Sequence, residues 1–145
     1  MKVTYGATNL NATPKNLTMK ETASKPIVSG IPTDGCYTLV MIDPDAGKAN
    51  KNSPRTGKYY LHWLVTNITD GSVERGQTKG TYAPPTPPSG SGPHEYRFQL
   101  YKQECGILNT KQITAPMANI DLDRFENEMR LILLPEHQAK MKVES

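Results

Sequence analysis

The segment TLVMIDPDAG, residues 38–47, joins an apolar strand to an acidic turn. Short apolar runs that are rich in β-branched residues and bounded by turn residues predict buried strands. At the end of this strand, Asp43 and Asp45 flank Pro44, whose ring restricts the backbone and favours a turn. Asp43 continues the apolar face of the strand, which places a carboxylate at the rim of the core. Because a buried charge requires partners, Asp43 is a candidate functional residue, although Asp-Pro-Asp most often marks an ordinary turn.

Other segments complete a mainly β pattern. The clearest strand-like stretches, each bounded by Gly, Pro or Asp, are residues 36–42, 60–68 and 94–101, with shorter ones at 2–5 and 17–19. The stretch 60–68 is apolar on both faces, which predicts a central strand. The stretch 94–101 alternates, so we expect one of its faces in the core and the other in water.

One helix is predicted late in the sequence. Apolar residues recur at helical spacing between Asp121, a suitable N-cap, and Pro135, which stops a helix. These apolar residues are Leu122, Phe125, Met129 and Ile132. The pattern predicts about three helical turns.

Composition limits the classes of protein that the sequence can encode. The chain has 145 residues, 36% of them apolar, with 12 Pro and 11 Gly, which favours one domain covering residues 1–145 and strands over helices. The net charge is +3 and the Lys and Arg residues are dispersed, so nucleic acid is not an expected partner. No stretch approaches the ~18–20 apolar residues of a transmembrane span, and no signal-peptide core is recognisable. We therefore expect a cytoplasmic protein.

This cytoplasmic expectation decides how two further features are interpreted. Two isolated thiols without an export signal are usually reduced, so Cys36 and Cys105 are expected to be unpaired. Glycosylation sequons begin at Asn11, Asn16 and Asn67, but a sequon acts only in the secretory pathway. We interpret the three sequons as chance matches.

His62 and His94 are candidate partners for Asp43. His62 interrupts an apolar strand and, when neutral, carries one donor and one acceptor nitrogen. His94 opens a strand directly after a loop whose Gly90 and Gly92 allow the backbone to turn its N–H groups toward an anion. Together these groups predict a receptor for a small anion, although a histidine in a strand is more often a satisfied core residue. The spacing matches no standard metal-ligand motif, so neither a metal nor another cofactor is expected.

Three segments together resemble the phosphatidylethanolamine-binding protein family, which includes the Raf kinase inhibitor protein of animals and the flowering regulators of plants. They are YTLVMIDPDA (residues 37–46), YLHWLVTNI (60–68) and PPSGSGPHEYRFQLYKQ (87–103). Weaker similarity extends to VTYG near the start and FENEMRL near the end. The resemblance implies an antiparallel Greek-key β-sandwich with a few short helices and a pocket at one edge.

The resemblance also implies the pocket residues and their ligand. The matching ligand-binding positions are Asp43, Pro44, His62, Gly90, His94 and Tyr96, with Tyr60 and Pro88 at the mouth. Asp45 is expected to anchor the adjoining loop. The family's pocket holds phosphate-containing or phosphoethanolamine-like groups and binds without catalysis, so no catalytic residue is expected. By the same analogy, the partners are a phospholipid headgroup, with peripheral membrane contact, and a protein kinase or other signalling protein.

The sequence departs from the family pattern at three places. Gly47 stands where the family usually has proline, which predicts a looser loop. Glu95 stands where the family usually has arginine, so we expect a fixed internal ion pair to be lost, with Arg97 on the same strand face as a partial replacement. We expect the terminal helix of animal members to be absent, which predicts a more open pocket, and we expect His137 to align with the tyrosine that closes the pocket there.

Two other functions remain open from the sequence. A phosphate- or acyl-ester hydrolase would use His62 or His94 as general base and Asp43 to orient it, although no serine or cysteine lies in a recognisable nucleophile motif. A protease-inhibitor or interaction scaffold would instead use the proline-rich loop of residues 83–93 and keep the pocket only as a vestige.

Overall fold

The computed structural model describes residues 1–106 and 113–145 of the chain. Within these ranges the chain forms eleven β-strands, one α-helix and two short 3-10 helices. The strands are β1 (Lys2–Tyr5), β2 (Thr8–Leu10), β3 (Lys15–Thr18), β4 (Ile27–Ser29), β5 (Cys36–Asp43), β6 (Tyr59–Ile68), β7 (Gln77–Thr78), β8 (His94–Gln103), β9 (Met117–Ile120), β10 (Ile132–Leu133) and β11 (Ala139–Glu144). The α-helix, α1, is Leu122–Glu128, and the 3-10 helices are Val73–Arg75 and Pro135–His137.

The strands form a small sheet and a large sheet. The small sheet has the order β2-β1-β4, and the large sheet has the order β3-β11-β8-β5-β6-β7, with β10 paired to β8 and β9 paired to β6. In the described ranges all strand pairs are antiparallel except β3 with β11, which is parallel. The predicted mainly β fold with short helices is confirmed, and the large sheet is mixed. Among the described residues, the helical segments are all too short or too polar to cross a bilayer.

Apolar side chains cover both faces of the large sheet. Between the two sheets, Met41 of β5 and Phe98 of β8 pack with Val3 of the small sheet. On the opposite face, Val40 of β5 packs in a second cluster that contains Phe125 of α1. The large sheet is therefore the middle layer of the fold, which explains why all eight residues of β5 are buried.

The two central strands compare differently with their predictions. The predicted central position of β6 is confirmed, because it lies between β5 and β7. The prediction that one face of β8 is in water is wrong, since Gln99 is 4% exposed and Tyr101 is fully buried. The reason is the helical layer, to which Tyr101 is linked by a 2.9 Å hydrogen bond from its hydroxyl to Glu126 of α1.

The helix is shorter than its apolar spacing predicts. Asp121 caps it as expected, since its carboxylate accepts a hydrogen bond from the backbone N–H of Arg124 at 3.1 Å. The helix then ends after seven residues, about two turns. Arg130 has a positive φ of 51°, which ends the helical path, and Ile132 pairs with Lys102 of β8 instead. The predicted third turn is wrong because this strand pairing replaces it.

Cys36 and Cys105 form a disulfide, so the prediction of reduced thiols is wrong. Cys36 begins β5, and Cys105 follows β8, its antiparallel neighbour. Cys36 pairs directly with Gln103, which brings the two sulfur-bearing positions to the same end of the sheet. The sheet register, which the sequence alone does not supply, is what places the thiols together.

We predict that the disulfide contributes strongly to stability. It links positions 69 residues apart, for which the chain-entropy model gives about 4 kcal/mol. The double variant Cys36→Ala/Cys105→Ala should therefore lose about 2–4 kcal/mol in the free energy of unfolding, measured by urea denaturation. Reduced wild type should unfold at the same urea concentration as the double variant. Equal midpoints for oxidised wild type and the double variant would contradict the assignment.

Candidate functional site

A cavity of about 260 Å³ lies where β5, β6 and β8 meet the loop of residues 83–93. Six of the predicted ligand-binding residues lie on its wall: Asp43, Tyr60, His62, Pro88, His94 and Tyr96. The predicted residues Pro44 and Gly90 do not. A larger depression of about 900 Å³ lies beside α1, but it contains none of the predicted residues and mixes basic and acidic side chains. We therefore place the candidate site in the smaller cavity.

A β-bulge directs His62 toward this cavity. In the pairing of β5 with β6, Met41 lies opposite Trp63, whereas the next residue, Ile42, lies opposite Leu61, so His62 is the extra residue. Trp63 packs between the sheets and Leu61 packs on the other face. In a regular strand His62 would lie on the face opposite Trp63. The bulge therefore brings the imidazole to the wall of the cavity.

His94 is held at both ring nitrogens. Its Nδ1 lies 2.7 Å from Oδ2 of Asp43, and its Nε2 lies 2.9 Å from Oγ of Ser91. The Ser91 hydroxyl also donates to the carbonyl oxygen of Pro88 at 2.7 Å. The Asp43 carboxylate accepts from Nδ1 of His94. These hydrogen bonds form a buried histidine–carboxylate pair that fixes the loop.

The connectivity Asp43–His94–Ser91 matches a hydrolase triad, but its surroundings do not. Ser91 is only 2% exposed, does not lie on the cavity wall, and directs its proton to Pro88 rather than to the imidazole. In the part of the chain that the structure describes, no cluster of three or more His, Cys, Asp or Glu could hold a metal ion. The arrangement therefore fits a structural clamp beside a binding cavity.

Among the described residues, Nε2 of His62 has no hydrogen-bond partner and can meet a ligand. Its Nδ1 lies 2.8 Å from the carbonyl oxygen of Ala83, which can only accept, so Nδ1 carries a proton. The backbone N–H of Ala83 donates in return to the His62 carbonyl at 3.0 Å. Burial lowers the pKa of His62, and the Ala83 carbonyl only partly opposes this effect. Nε2 is thus an acceptor near neutral pH and becomes a donor as the pH falls.

Two tyrosine rings complete the wall around His62. The ring centroids of Tyr60 and Tyr96 lie 4.7 Å and 5.2 Å from that of His62. Tyr96 is 1% exposed, and in the described residues its hydroxyl has no hydrogen-bond partner. Burial, followed by the negative charges of Asp43 and Asp45, raises the pKa of Tyr96, so the hydroxyl keeps its proton. A buried donor without a partner at a cavity wall favours an acceptor ligand.

Asp45, for which we expect a supporting role, contacts the loop of residues 46–58. Its Oδ1 accepts from Nε of Arg55 at 2.9 Å and lies 3.5 Å from Nζ of Lys48. Its Oδ2 accepts from the backbone N–H of Glu95 at 2.8 Å. Burial raises the pKa of Asp45, but the hydrogen bonds from Arg55 and Glu95, together with the positive charges of Arg55 and Lys48, more than offset this effect, so its pKa is lowered.

The internal ion pair expected to be lost at Glu95 is formed from another element. Arg55 in the loop binds Asp45, and its guanidinium also lies 3.6 Å from Glu95. Arg97 pairs with Glu95 at 2.5 Å and does not contact Asp45. Arg97 therefore balances the negative charge of Glu95, and Arg55 balances the negative charge of Asp45.

Two glycines shape the loops around the cavity. Gly47 has a φ of 82°, which proline cannot adopt, so the family's proline would not fit this backbone. Gly92 also has a positive φ, and a Cβ on it would lie 2.5 Å from Cβ of Lys51. Loops 46–58 and 83–93 therefore touch at Gly92, which requires a residue without a side chain.

The structure places His137 away from the cavity wall. His137 ends the 3-10 helix that precedes β11, and its Nδ1 lies 2.5 Å from the backbone nitrogen of Met1. The wall instead includes residues that we did not predict: Ala46, Gly47, Ala83, Pro84, Thr86 and Pro87. All six lie within or near the segments from which we predicted the site, so the sequence around each motif is the feature that could have indicated them.

The chain matches a known protein family over most of its length. The family model described as phosphatidylethanolamine-binding protein matches residues 4–137, so the chain belongs to this family. Among curated relatives, the 26 kDa secreted antigen of Toxocara canis is 37% identical over 93 residues. This match covers 63% of the present chain and 34% of the relative, so the chain spans about a third of that protein's length.

Solved structures show the same fold. The carboxypeptidase Y inhibitor in complex with its cognate proteinase superposes with a TM-score of 0.73 at 22% identity, covering 99% of this chain and 82% of the inhibitor. The phosphatidylethanolamine-binding protein of Plasmodium vivax gives 0.67 at 18% identity, covering 99% and 83%. At these identities the similarity establishes the architecture alone.

The prediction of a cytoplasmic protein is wrong. The relative from Toxocara canis is a secreted antigen. The Cys36–Cys105 disulfide agrees with this correction, because disulfides persist in oxidising compartments.

We predict that Arg55→Gln destabilises the protein through Asp45. A buried carboxylate would lose a charged donor, at a cost of about 1 kcal/mol after allowing for the exposure of Arg55. The lowered pKa of Asp45 stabilises the fold above the unfolded pKa of about 4, and this contribution is lost as the pH falls through the folded pKa. Urea denaturation should therefore show a variant–wild-type difference at neutral pH that shrinks in acid.

Arg75→Gln is the matched control. Arg75 forms a comparable 2.8 Å contact with Asp70, but the two side chains are 65% and 67% exposed. Its substitution should leave the free energy of unfolding nearly unchanged. Equal effects of the two substitutions would show that Asp45 is not a buried anchor.

Proposed function

We propose that the cavity binds a small, singly charged phosphate group, of the kind found in a phosphoethanolamine headgroup. The observation that carries this proposal is that Nε2 of His62 and the hydroxyl of Tyr96 belong to one wall and have no hydrogen-bond partner in residues 1–106 and 113–145. Phosphate oxygens accept hydrogen bonds from both kinds of donor. The volume of about 260 Å³ suits a headgroup better than a whole lipid.

The charges of the wall favour one negative charge over two. His94 is hydrogen-bonded to the Asp43 carboxylate, so this pair presents no net positive charge to a ligand. A dianion would face the Asp43 carboxylate with only a partly protonated His62 to offset it. A monoanionic phosphodiester avoids most of this repulsion and accepts from Nε2 of His62 when that nitrogen is protonated.

We predict that affinity for a phosphodiester headgroup rises as the pH falls. Burial lowers the pKa of His62, so the donor form of Nε2 is scarce near neutral pH and increases in acid. Glycerophosphoethanolamine is a suitable probe because its phosphodiester keeps one negative charge throughout. Titration calorimetry from about pH 8 to about pH 5.5 should show an affinity gain of up to about tenfold per pH unit above the His62 pKa.

Two variants test the assignment of this pH dependence. His62→Gln keeps a donor for the Ala83 carbonyl but does not titrate, so it should remove the dependence. His137→Gln removes a second histidine with a lowered pKa that lies outside the cavity, and should change nothing. A wild-type affinity that stays constant over this pH range would refute the role of His62.

The source of the headgroup is decided with membranes. Vesicles of phosphatidylcholine, with and without phosphatidylethanolamine, should be compared by sedimentation with the soluble probe. We expect retention of the protein on the phosphatidylethanolamine vesicles and its release by glycerophosphoethanolamine. Binding of the soluble probe without vesicle retention would identify a free metabolite as the ligand.

We further propose that occupancy of the cavity biases binding to a signalling protein. The loop of residues 83–93 supports this step, because it forms part of the cavity wall and is also the most proline-rich segment of the chain. The relative from Toxocara canis favours an extracellular partner over a cytoplasmic kinase. Membership of the family does not by itself identify the partners of the whole protein, so the partner is part of this proposal.

We predict that Asp43→Asn weakens such a complex, because it removes the carboxylate partner of His94 and loosens the loop. Affinity for a purified Raf-type kinase, and for extracellular proteins captured by the wild type, should be measured with and without saturating glycerophosphoethanolamine. If the affinity for a partner changes with neither the ligand nor the substitution, partner binding does not depend on the cavity.

Ester hydrolysis by the wild type, abolished in Ser91→Ala, would instead establish the hydrolase alternative.

A further inference from the structure

The three sequons lie in structurally different settings. Asn11, Asn16 and Asn67 each begin an Asn-x-Thr motif whose middle residue is not proline. The extracellular location indicated by the secreted relative and the disulfide would expose all three to the glycosylation machinery. We propose that Asn11 and Asn16 carry N-linked glycans in the secreted protein and that Asn67 does not. This inference rests on the extracellular location and is independent of anion binding.

Asn16 lies on an accessible strand edge. It belongs to β3, the outermost strand of the large sheet, where Leu17 is the one buried residue. Asn16 and Thr18 are exposed and alternate with Leu17, so both point away from the core. In the described residues no hydrogen bond involves the Asn16 side chain. The amide nitrogen that would receive a glycan is therefore available.

Asn11 is accessible in a different way. Its side chain is exposed, and its Oδ1 accepts a hydrogen bond from the backbone N–H of Thr13 at 2.9 Å. This bond fixes the side chain through its oxygen and leaves Nδ2 without a partner among the described residues. The backbone carbonyl of Asn11 accepts from Lys140 of β11 at 2.8 Å, so the site has a defined position beside the same sheet edge.

Asn67 is held inside a hydrogen-bond network. Its Nδ2 donates to Gln77 at 2.9 Å, and its Oδ1 accepts from Nε2 of Gln103 at 2.7 Å. Its backbone N–H also donates to Gln103 at 2.9 Å, and its φ of 57° holds it at an irregular position of β6. A glycan on Nδ2 would displace Gln77 and disturb the buried Gln103. Folding therefore disfavours chains that carry a glycan at Asn67.

The transfer itself requires from this chain only an accessible amide within an Asn-x-Thr motif. The donor is an oligosaccharide linked to a lipid pyrophosphate. A bond forms between Nδ2 and the anomeric carbon of the sugar, the bond from that carbon to the pyrophosphate breaks, and the amide releases one proton. Because neither Asn11 nor Asn16 lies on the cavity wall, the product keeps the candidate site open.

Occupancy is measured on the full chain secreted from eukaryotic cells behind a cleavable signal. Peptide N-glycosidase F in heavy-oxygen water converts each glycosylated asparagine to labelled aspartate, which peptide mass spectrometry locates. We expect label at Asn11 and Asn16 and none at Asn67. Secreted protein without label at Asn11 or Asn16, or with label at Asn67, would overturn the proposal.

Single substitutions check the assignment by gel mobility. Thr13→Ala and Asn16→Gln should each remove the mass of one glycan, whereas Thr69→Ala, which destroys the third sequon and leaves Asn67 in place, should change nothing. Thr13→Ser preserves its sequon and should retain the glycan. A mobility shift in Thr69→Ala would place a glycan at Asn67 and contradict the structural selection.

Discussion

The contact between Asp43 and His94 joins the parts of the chain that form the site. Asp43 ends β5, His94 begins β8, and the same imidazole reaches Ser91, which holds Pro88 of the loop. Both side chains are buried, so removing one would leave the polar group of the other without its partner in a region of low dielectric. The geometry of the loop, and with it five of the twelve residues of the cavity wall, depends on this pair.

The site also shows that a buried carboxylate can be balanced by a cation from another part of the chain. Asp45 is buried and needs a cation, yet the position that supplies arginine in the family is Glu95 here. Arg55 reaches Asp45 from a loop ten residues away in sequence. The buried carboxylate of Asp45 needs a nearby cation, and any element of the fold that reaches it can provide the guanidinium.

The sequence predicts local features of this fold better than it predicts long-range pairing. The three central strands follow from apolar runs, and six residues of the cavity wall follow from the motifs at the strand ends. The period-two pattern of β11 is also visible, with Ala139, Met141 and Val143 buried, although we do not predict this strand. The bulge at His62 and the Cys36–Cys105 disulfide depend on the register between strands, which no local pattern encodes. The false water-exposed face of β8 has the same origin, because α1 covers it from a distant segment.

The parallel pairing of β3 with β11 links an early segment to a late one. β11 lies between β3 and β8, so β3 has no neighbour in the large sheet until residues 139–144 have been placed. During synthesis on the ribosome, the N-terminal segment must therefore wait for more than a hundred residues to emerge before it can dock. High contact order of this kind slows folding and leaves an open strand exposed meanwhile, so the nascent chain has its greatest need of chaperones at its beginning.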